Sequence, residues 1–239
     1  MNFEEFYNII SQQLKAIKVQ YNEDNCRKLY QYMNILLEWN KKINLTAITN
    51  ENEVITKHFI DSLTINEYIE SNSKIIDVGT GAGFPGLPLA LFNEDCNVTL
   101  LDSLNKRILF LNEVINDTKI GNVITVHGRA EDFGQDRKFR EKYDIAVSRA
   151  VAPLNVLVEY LLPFVKVGGK CICMKGPKAN EELTKIEKSL IKLGGKLDRV
   201  YEKNIDGDGE RNLIIIKKIK ETNTNYPRKA GIPSKKPIS

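Results

Sequence analysis

The stretch Lys74-Ile-Ile-Asp-Val-Gly-Thr-Gly-Ala-Gly-Phe-Pro-Gly-Leu-Pro-Leu-Ala90 constrains this chain more than any other. An apolar run ends in an acid, three alternating glycines follow, and a second apolar run reads as a helix. Strand, glycine turn, helix is how an α/β sheet builds a nucleotide site, because glycine permits positive φ and leaves no Cβ between backbone and ligand. Gly81, Gly83 and Gly86 also satisfy the dinucleotide pattern G-x-G-x-x-G, so the spacing alone does not select the ligand. Asp77 does: a carboxylate at the strand end repels a pyrophosphate, whereas it suits the ammonium and sulfonium groups of S-adenosylmethionine. The order Asp-x-Gly-x-Gly-x-Gly therefore favours a methyl donor held by Asp77, Gly79, Gly81 and Gly83 over a nicotinamide dinucleotide.

From Lys74 onward, strands alternate with helical segments, the signature of a parallel sheet with helices on both faces. Strands are predicted over Asn97–Asp102, Val123–His127, Tyr143–Ser148, a segment ending at Lys175, Lys196–Asn204 and Arg211–Ile219. Between the last two, Asp206-Gly-Asp-Gly209 reads as a turn; it lacks the ligand series and distal glutamate of a calcium loop. Upstream, apolar positions at helical spacing predict a helix from Asn2 to about Lys18. A second is expected from a cap at Asn22 to Trp39, then a short one over Glu51–Thr56 and a further one to about Glu70. Ala179–Leu193 reads as one amphipathic helix. The division expected is a helical extension over 1–70, a core over 71–220 and a basic tail over 221–239.

In open α/β sheets the ligand lies outside the carboxyl ends of the strands, which assigns site positions to Asp102, Ser148, Arg149 and Lys175. Asp102 follows the glycines by about twenty residues, where an acid accepts hydrogen bonds from ribose hydroxyls. The Gly128-Arg-Ala-Glu-Asp132 loop lies at the same edge, facing the adenine end. A structural arginine capping a strand end is the alternative for Arg149. Lys106 and Arg107 open a helix toward solvent or RNA, and Arg228, Lys229, Lys235 and Lys236 make the tail a phosphate-contacting arm or a solvated end. His58 is one of two histidines, and a lone histidine is more often a hydrogen-bonded structural group than a catalyst.

Four scattered cysteines with no C-x-x-C pair argue against zinc and against a disulfide framework, so no metal is expected. No apolar run approaches membrane-spanning length and no signal-peptide pattern opens the chain, which points to a cytoplasmic protein. A net charge of +4 permits an RNA partner without requiring one.

Along nearly its whole length the chain resembles the bacterial 16S ribosomal RNA guanine-N7 methyltransferases, also called glucose-inhibited division protein B. The resemblance rests on Asn44-Leu-Thr-Ala-Ile48, Lys57-His-Phe-Ile-Asp-Ser-Leu63, Asp77-Val-Gly-Thr-Gly-Ala-Gly-Phe-Pro-Gly-Leu-Pro88, Arg129-Ala-Glu131, Ser148-Arg-Ala-Val151, Lys175-Gly176 and Arg228-Lys-Ala-Gly-Ile-Pro233. It implies a Rossmann-like, seven-stranded S-adenosylmethionine-dependent core with an N-terminal helical extension, acting as a monomer on one guanine of 16S rRNA in the small ribosomal subunit. It further implies donor contacts from Gly79, Phe84, Ala130, Glu131 and Arg149, with Asp102 toward the ribose, and RNA contacts from Asn44 and His58.

Guanine N7 carries an in-plane lone pair and no proton, so it attacks a methyl group without a general base. In keeping with this, no Asn/Asp-Pro-Pro-aromatic motif follows the fourth predicted strand and no cysteine stands out as a nucleophile. Arg129, Arg149 and Lys175 are the residues expected to hold RNA phosphates or the guanine carbonyl. A methyltransferase acting on a small molecule and a donor-binding protein without turnover are the alternatives, since this fold serves many acceptors.

Overall fold

The computed structural model describes residues 1–177, 179–205 and 209–238, with side chains except at 203–205, 209 and 210. The Asp206–Gly209 turn expectation lies mostly outside the described residues. Strands form where the apolar runs predict them: β1 (Lys74–Val78), β2 (Asn97–Asp102), β3 (Val123–His127), β4 (Tyr143–Arg149), β5 (Val165–Lys175), β6 (Gly195–Ile205) and β7 (Gly209–Lys218). They make one seven-stranded sheet in the order β3-β2-β1-β4-β5-β7-β6. All neighbours are parallel except β7, which runs antiparallel to both β5 and β6. Strand order reverses between β1 and β4, and the crevice of such a fold opens at the carboxyl ends there. The Gly168-Gly169 pair lies within β5. There the pairing jumps from Tyr143↔Val165 to Ile145↔Lys170, and Gly168 holds a φ of 90°. An irregularity of this kind suits glycine, which has no Cβ to clash at positive φ.

Successive side chains of a strand point to opposite faces. Ile75 joins a core shared with α1 (Phe3–Ala16), α2 (Glu23–Asn40), α5 (Gly86–Phe92) and α6 (Asn105–Thr118). Ile76 and Val78 join the opposite core, under α8 (Leu154–Leu161) and α10 (Glu187–Leu193). The N-terminal helices thus share one apolar cluster with the sheet. Asn2 and Asn22 cap α1 and α2 through reciprocal side-chain and backbone bonds, as the second cap predicted.

Three helical expectations change. The segment after α3 (Glu51–Val54) passes through a π-helical turn, Ile55–Ile60, into the short α4 (Asp61–Leu63), and reaches the neighbourhood of Glu70 only through a separate 3-10 turn, Asn66–Tyr68, rather than as one helix. Ser62 and Thr64 hydroxyls donate to the carbonyls of His58 and Asp61, the local bonding by which such residues compete with helix continuation. The expected helix over Ala179–Leu193 is two, α9 (Ala179–Leu183) and α10, bent between Thr184 and Ile186. The Gly128–Asp132 loop contains a short helix, α7 (Ala130–Phe133).

The tail packs on the core. Ile238 belongs to the second apolar cluster and Pro233 is buried at the start of α11 (Ile232–Lys235). Arg140 donates to the carbonyls of Gly134, Thr222, Asn223 and Tyr226, and Gln135 to those of Thr224 and Pro227.

Candidate active site

At the carboxyl ends of β1, β2 and β4 two cavities meet, of about 140 and 400 Å³. Both are lined by Gly79, Asp102, Ser103 and Val151. The smaller adds Gly128, Arg129, Ala130, Glu131 and Tyr160; the larger adds Leu45, Thr46, His58, Gly81, Phe84, Arg107 and Arg149. The structure brings together at this edge most of the residues expected there.

The glycines act in two ways. Gly79 and Gly81 hold φ of 72° and 63° and face the larger cavity, where a Cβ on Gly81 would meet nothing closer than a carbonyl at 4.0 Å. Gly83, at φ 97°, turns inward: a Cβ there would stand 2.6 Å from the Tyr32 hydroxyl and 2.7 Å from Leu87. Its requirement is packing, not ligand contact.

Asp77 is a correction. Charge places it beside the donor's cation, yet it is fully buried beneath the glycine turn and lines neither cavity. One oxygen accepts from Thr80 Oγ1 at 2.7 Å and Gly86 N at 2.8 Å, so the acid braces the turn. Burial raises its pKa from 3.8 to about 7; the Thr80 and Gly86 bonds and Arg149 pull it down by less. The folded-state value lies above the unfolded one. The stability it contributes is therefore complete below pH 3.8 and is lost as pH rises through about 7. Thermal unfolding is expected to show stability falling between about pH 4 and pH 7, by up to about 1.4 kcal/mol per pH unit from this group, and levelling off above that, with Asp77→Asn removing the slope. Parallel pH profiles for wild type and variant would count against this role.

Asp102 stands at the junction of the two cavities, nearly inaccessible to solvent. It accepts from Gly81 N at 2.9 Å, Leu104 N at 2.9 Å and Arg107 Nη1 at 3.2 Å. A carboxylate offers about four acceptor directions, so one remains for a ligand hydroxyl. Arg107, expected to reach RNA, is instead drawn in by this carboxylate and forms cavity wall.

Arg149 lines the larger cavity, and three of its five donors are taken by neighbouring residues. Nη1 donates to the Lys57 carbonyl at 2.9 Å and to Asp61 Oδ2 at 2.8 Å, and Nη2 to His58 Nδ1 at 2.9 Å. Its guanidinium carbon lies 5.0 Å from the centroid of Phe84, within cation–π range. Arg149 therefore braces β4 against the π-helical turn, with Nη1 fully committed and Nη2 turned to His58. The same contacts settle His58: it is buried, stacks on Phe84 at 4.5 Å, and bonds Thr46 through Nε2 at 2.8 Å. Burial, then Arg149, lowers its pKa to about 3, so it is neutral near pH 7. It forms wall, and the expectation of direct RNA contact does not fit a ring bonded at both nitrogens.

Two further corrections concern cations held by nearby acids. Lys175 lines neither cavity; its ammonium donates to the Ala152 carbonyl at 2.8 Å and pairs with Glu182 at 2.8 Å. Arg228 places its backbone N, Nε and Nη2 on the fully buried Glu159 at 2.9, 2.9 and 2.7 Å. Ser148 is buried and ties β4 to the Val78 carbonyl at 2.9 Å. Asn44, Arg129, Lys229 and Lys235 are exposed.

Sequence reasoning gave no role to Asn40, nor to Thr46, Asp61 and Val151, although these three lie within the motifs that carry the resemblance. Asn40 holds the 40–46 loop, accepting from Leu45 N and Thr46 N and donating to the Thr46 carbonyl. Asp61 accepts from Arg149 and also from Arg211 at 3.3 Å. Both partners come from strands distant in sequence, so no local pattern signals them.

The reversal-point crevice, the positive-φ glycine turn, the acid at the end of β2 and two joined cavities fit a nucleoside bearing an amino-acid arm. Fold and site together define an S-adenosylmethionine-dependent methyltransferase. In fold the chain is similar to M. jannaschii TYW2 solved in complex with AdoMet, with a TM-score of 0.51, 18% identity, and coverage of 65% of this chain and 72% of that one. It is likewise similar to a SAM-dependent methyltransferase from Methanosarcina mazei, with a TM-score of 0.52, 15% identity, and coverage of 66% and 97%. Residues 25–214 match the family model described as rRNA small subunit methyltransferase G, and the chain belongs to that family. It is 52% identical to the ribosomal RNA small subunit methyltransferase G of Alkaliphilus oremlandii, over 98% of this chain and 99% of the relative. With the protein of the same name from Clostridium novyi it shares 48% identity over 100% of both. No helix among the described residues is long and apolar enough to cross a membrane.

Proposed function

We propose that this chain methylates N7 of a guanine in small-subunit ribosomal RNA. Family membership supports the substrate class. The observation that carries the position is the state of the titratable groups around the larger cavity. His58 has its one acceptor nitrogen facing Arg149 Nη2, Asp102 is surrounded by three donors, and Asp77 lies beneath the turn. The acceptor direction that Asp102 keeps is the one for the donor's ribose hydroxyl, so none of the three is left to take a proton from the base, and N7 has none to give. Methylation of an exocyclic amine or a pyrimidine carbon requires a proton to leave.

S-adenosylmethionine supplies an electrophilic methyl group when bound. The chain's contribution is to orient: Gly81 leaves the floor open to the ligand, Gly79 lets Val151 pack close over the turn, Asp102 offers one acceptor direction, and Phe84, His58 and Arg149 form a fixed wall. Orientation of this kind converts a bimolecular encounter into an effectively intramolecular step. Exposed Asn44, Arg129, Lys229 and Lys235 are the remaining residues for RNA contact, with Arg129 on the cavity rim.

The test is transfer of labelled methyl to small ribosomal subunits and to naked 16S rRNA from a strain lacking the gene, with the modified nucleoside identified by mass spectrometry. N7-methylguanosine is the expected product. Transfer to a different atom, or none to either RNA while S-adenosylhomocysteine still binds, would overturn the assignment.

A further inference from the structure

The hydrogen-bond network around Thr46 leaves one donor uncommitted on the cavity wall. His58 Nδ1 lies 2.9 Å from Arg149 Nη2 and 3.2 Å from the Lys57 carbonyl. The guanidinium can only donate, and that carbonyl already accepts from Arg149 Nη1, so the assignment that avoids donor against donor has Nδ1 accepting and the neutral ring's proton on Nε2. Nε2 lies 2.8 Å from Thr46 Oγ1 and donates to it. Ile48 N also donates to Thr46 Oγ1, at 3.0 Å. A hydroxyl has two acceptor directions and one proton. Both acceptor directions are filled, and no acceptor for the proton lies among the described residues. Thr46 lines the 400 Å³ cavity beside His58, Phe84 and Arg149, and Asn40 bonds to its backbone N and carbonyl hold it there. The network therefore makes Thr46 a fixed donor that cannot accept.

We infer that the Thr46 hydroxyl donates to O6 of the target guanine and discriminates guanine from adenine-like bases at this site. This rests on the guanine-N7 reading above. Guanine presents O6 and N7 as adjacent acceptors, whereas adenine presents an amino donor in place of O6. One donor directed at O6 reads the base and leaves the N7 lone pair unbound for reaction. A guanidinium fork would occupy both atoms; on this wall Arg149 is bonded to Asp61, Lys57 and His58, and Arg107 to Asp102. Facing an N6 amino group, Thr46 has no free lone pair to accept with, so the wrong base meets donor against donor. His58 serves as a positioning residue, since its Nε2 proton fills the lone pair that would otherwise let Thr46 accept.

The experiment compares 16S rRNA assembled into small subunits with guanosine or 2,6-diaminopurine at the methylated position. Diaminopurine keeps N7 and the 2-amino group and replaces O6 by an amino donor. The ratio of kcat/KM on the two substrates cancels the fraction of active enzyme, so a partly unfolded variant still reports. Wild type is expected to prefer guanosine by on the order of 10- to 100-fold. Thr46→Val is expected to bring that ratio near one, by loss on guanosine, and Thr46→Ser to restore it. A wild-type ratio near one, or a Thr46→Val enzyme that keeps the full preference, overturns the inference while leaving the guanine-N7 assignment standing. Failure of wild type to methylate guanosine at N7 overturns both.

Discussion

Arg149→Ala is expected to cost at least about 100-fold in kcat/KM and about 3 kcal/mol of stability. Three contacts disappear together: Asp61, the Lys57 carbonyl and His58 Nδ1. Asp61 is nearly inaccessible to solvent, and removing one member of a buried ion pair strands the other, typically at 3–5 kcal/mol. Arg211, 3.3 Å from the second oxygen of Asp61, keeps the loss toward the lower end. The activity loss has a different origin. Without Nη2, His58 Nδ1 is free to take a proton, and the wall that faces Phe84 and Thr46 loses its fixed orientation. Misplacement of a cavity wall by about 1 Å is worth about 100-fold. Arg149→Lys keeps the charge without the planar fork that spans Asp61 and His58, and is expected to recover stability better than rate. Thermal unfolding and steady-state methyl transfer on the same preparations separate the two effects. Arg149→Ala with full activity would remove it from the site.

Arg228→Ala is expected to lower Tm by on the order of 10 °C. Glu159 is fully buried, and Arg228 supplies the cation on both of its oxygens. Loss of the guanidinium leaves an uncompensated carboxylate in an apolar core, at about 3–5 kcal/mol. The consequence extends to the donor site, because Gly231 N donates to Glu131 at 2.8 Å and Glu131 lines the smaller cavity. Weaker S-adenosylhomocysteine binding is therefore expected along with the lower Tm. Replacing both partners at once, Glu159→Gln with Arg228→Met, is expected to recover much of the loss, since no charge then stays buried alone. Lys229→Ala, at an exposed position, is expected to leave Tm unchanged. An Arg228→Ala protein with wild-type Tm and weakened RNA binding would instead restore the picture of the tail as a phosphate-contacting arm.

The pair Arg149 and Arg228 shows where reading the chain as a line of residues stops. Both were legible as functional by position: one ends a strand at the ligand edge, the other lies in a basic tail. Neither was legible in role, because a cation is defined by the anion it meets. Asp61 and Glu159 supply those anions from elements far away in sequence. Lys175 repeats the pattern with Glu182. Asp77 fails for a related reason: a carboxylate beside glycines reads as a ligand for a cation until the turn is seen to fold over it.

By itself the sequence determined the strand sites, the glycine turn and the parallel α/β class. These follow from near-neighbour physics: apolar runs long enough to be buried on both faces, and backbone angles that only glycine adopts without strain. The family resemblance followed from motifs equally local. The tertiary structure decided which polar groups remain for chemistry. Sheet order places Arg149 against the π-helical turn and the tail against α8, and each buried charge then takes the nearest partner, since an unpaired one costs several kcal/mol. The acceptor direction of Asp102 and the proton of Thr46 that stay uncommitted on the cavity wall are set by that pairing and were not visible in the order of residues.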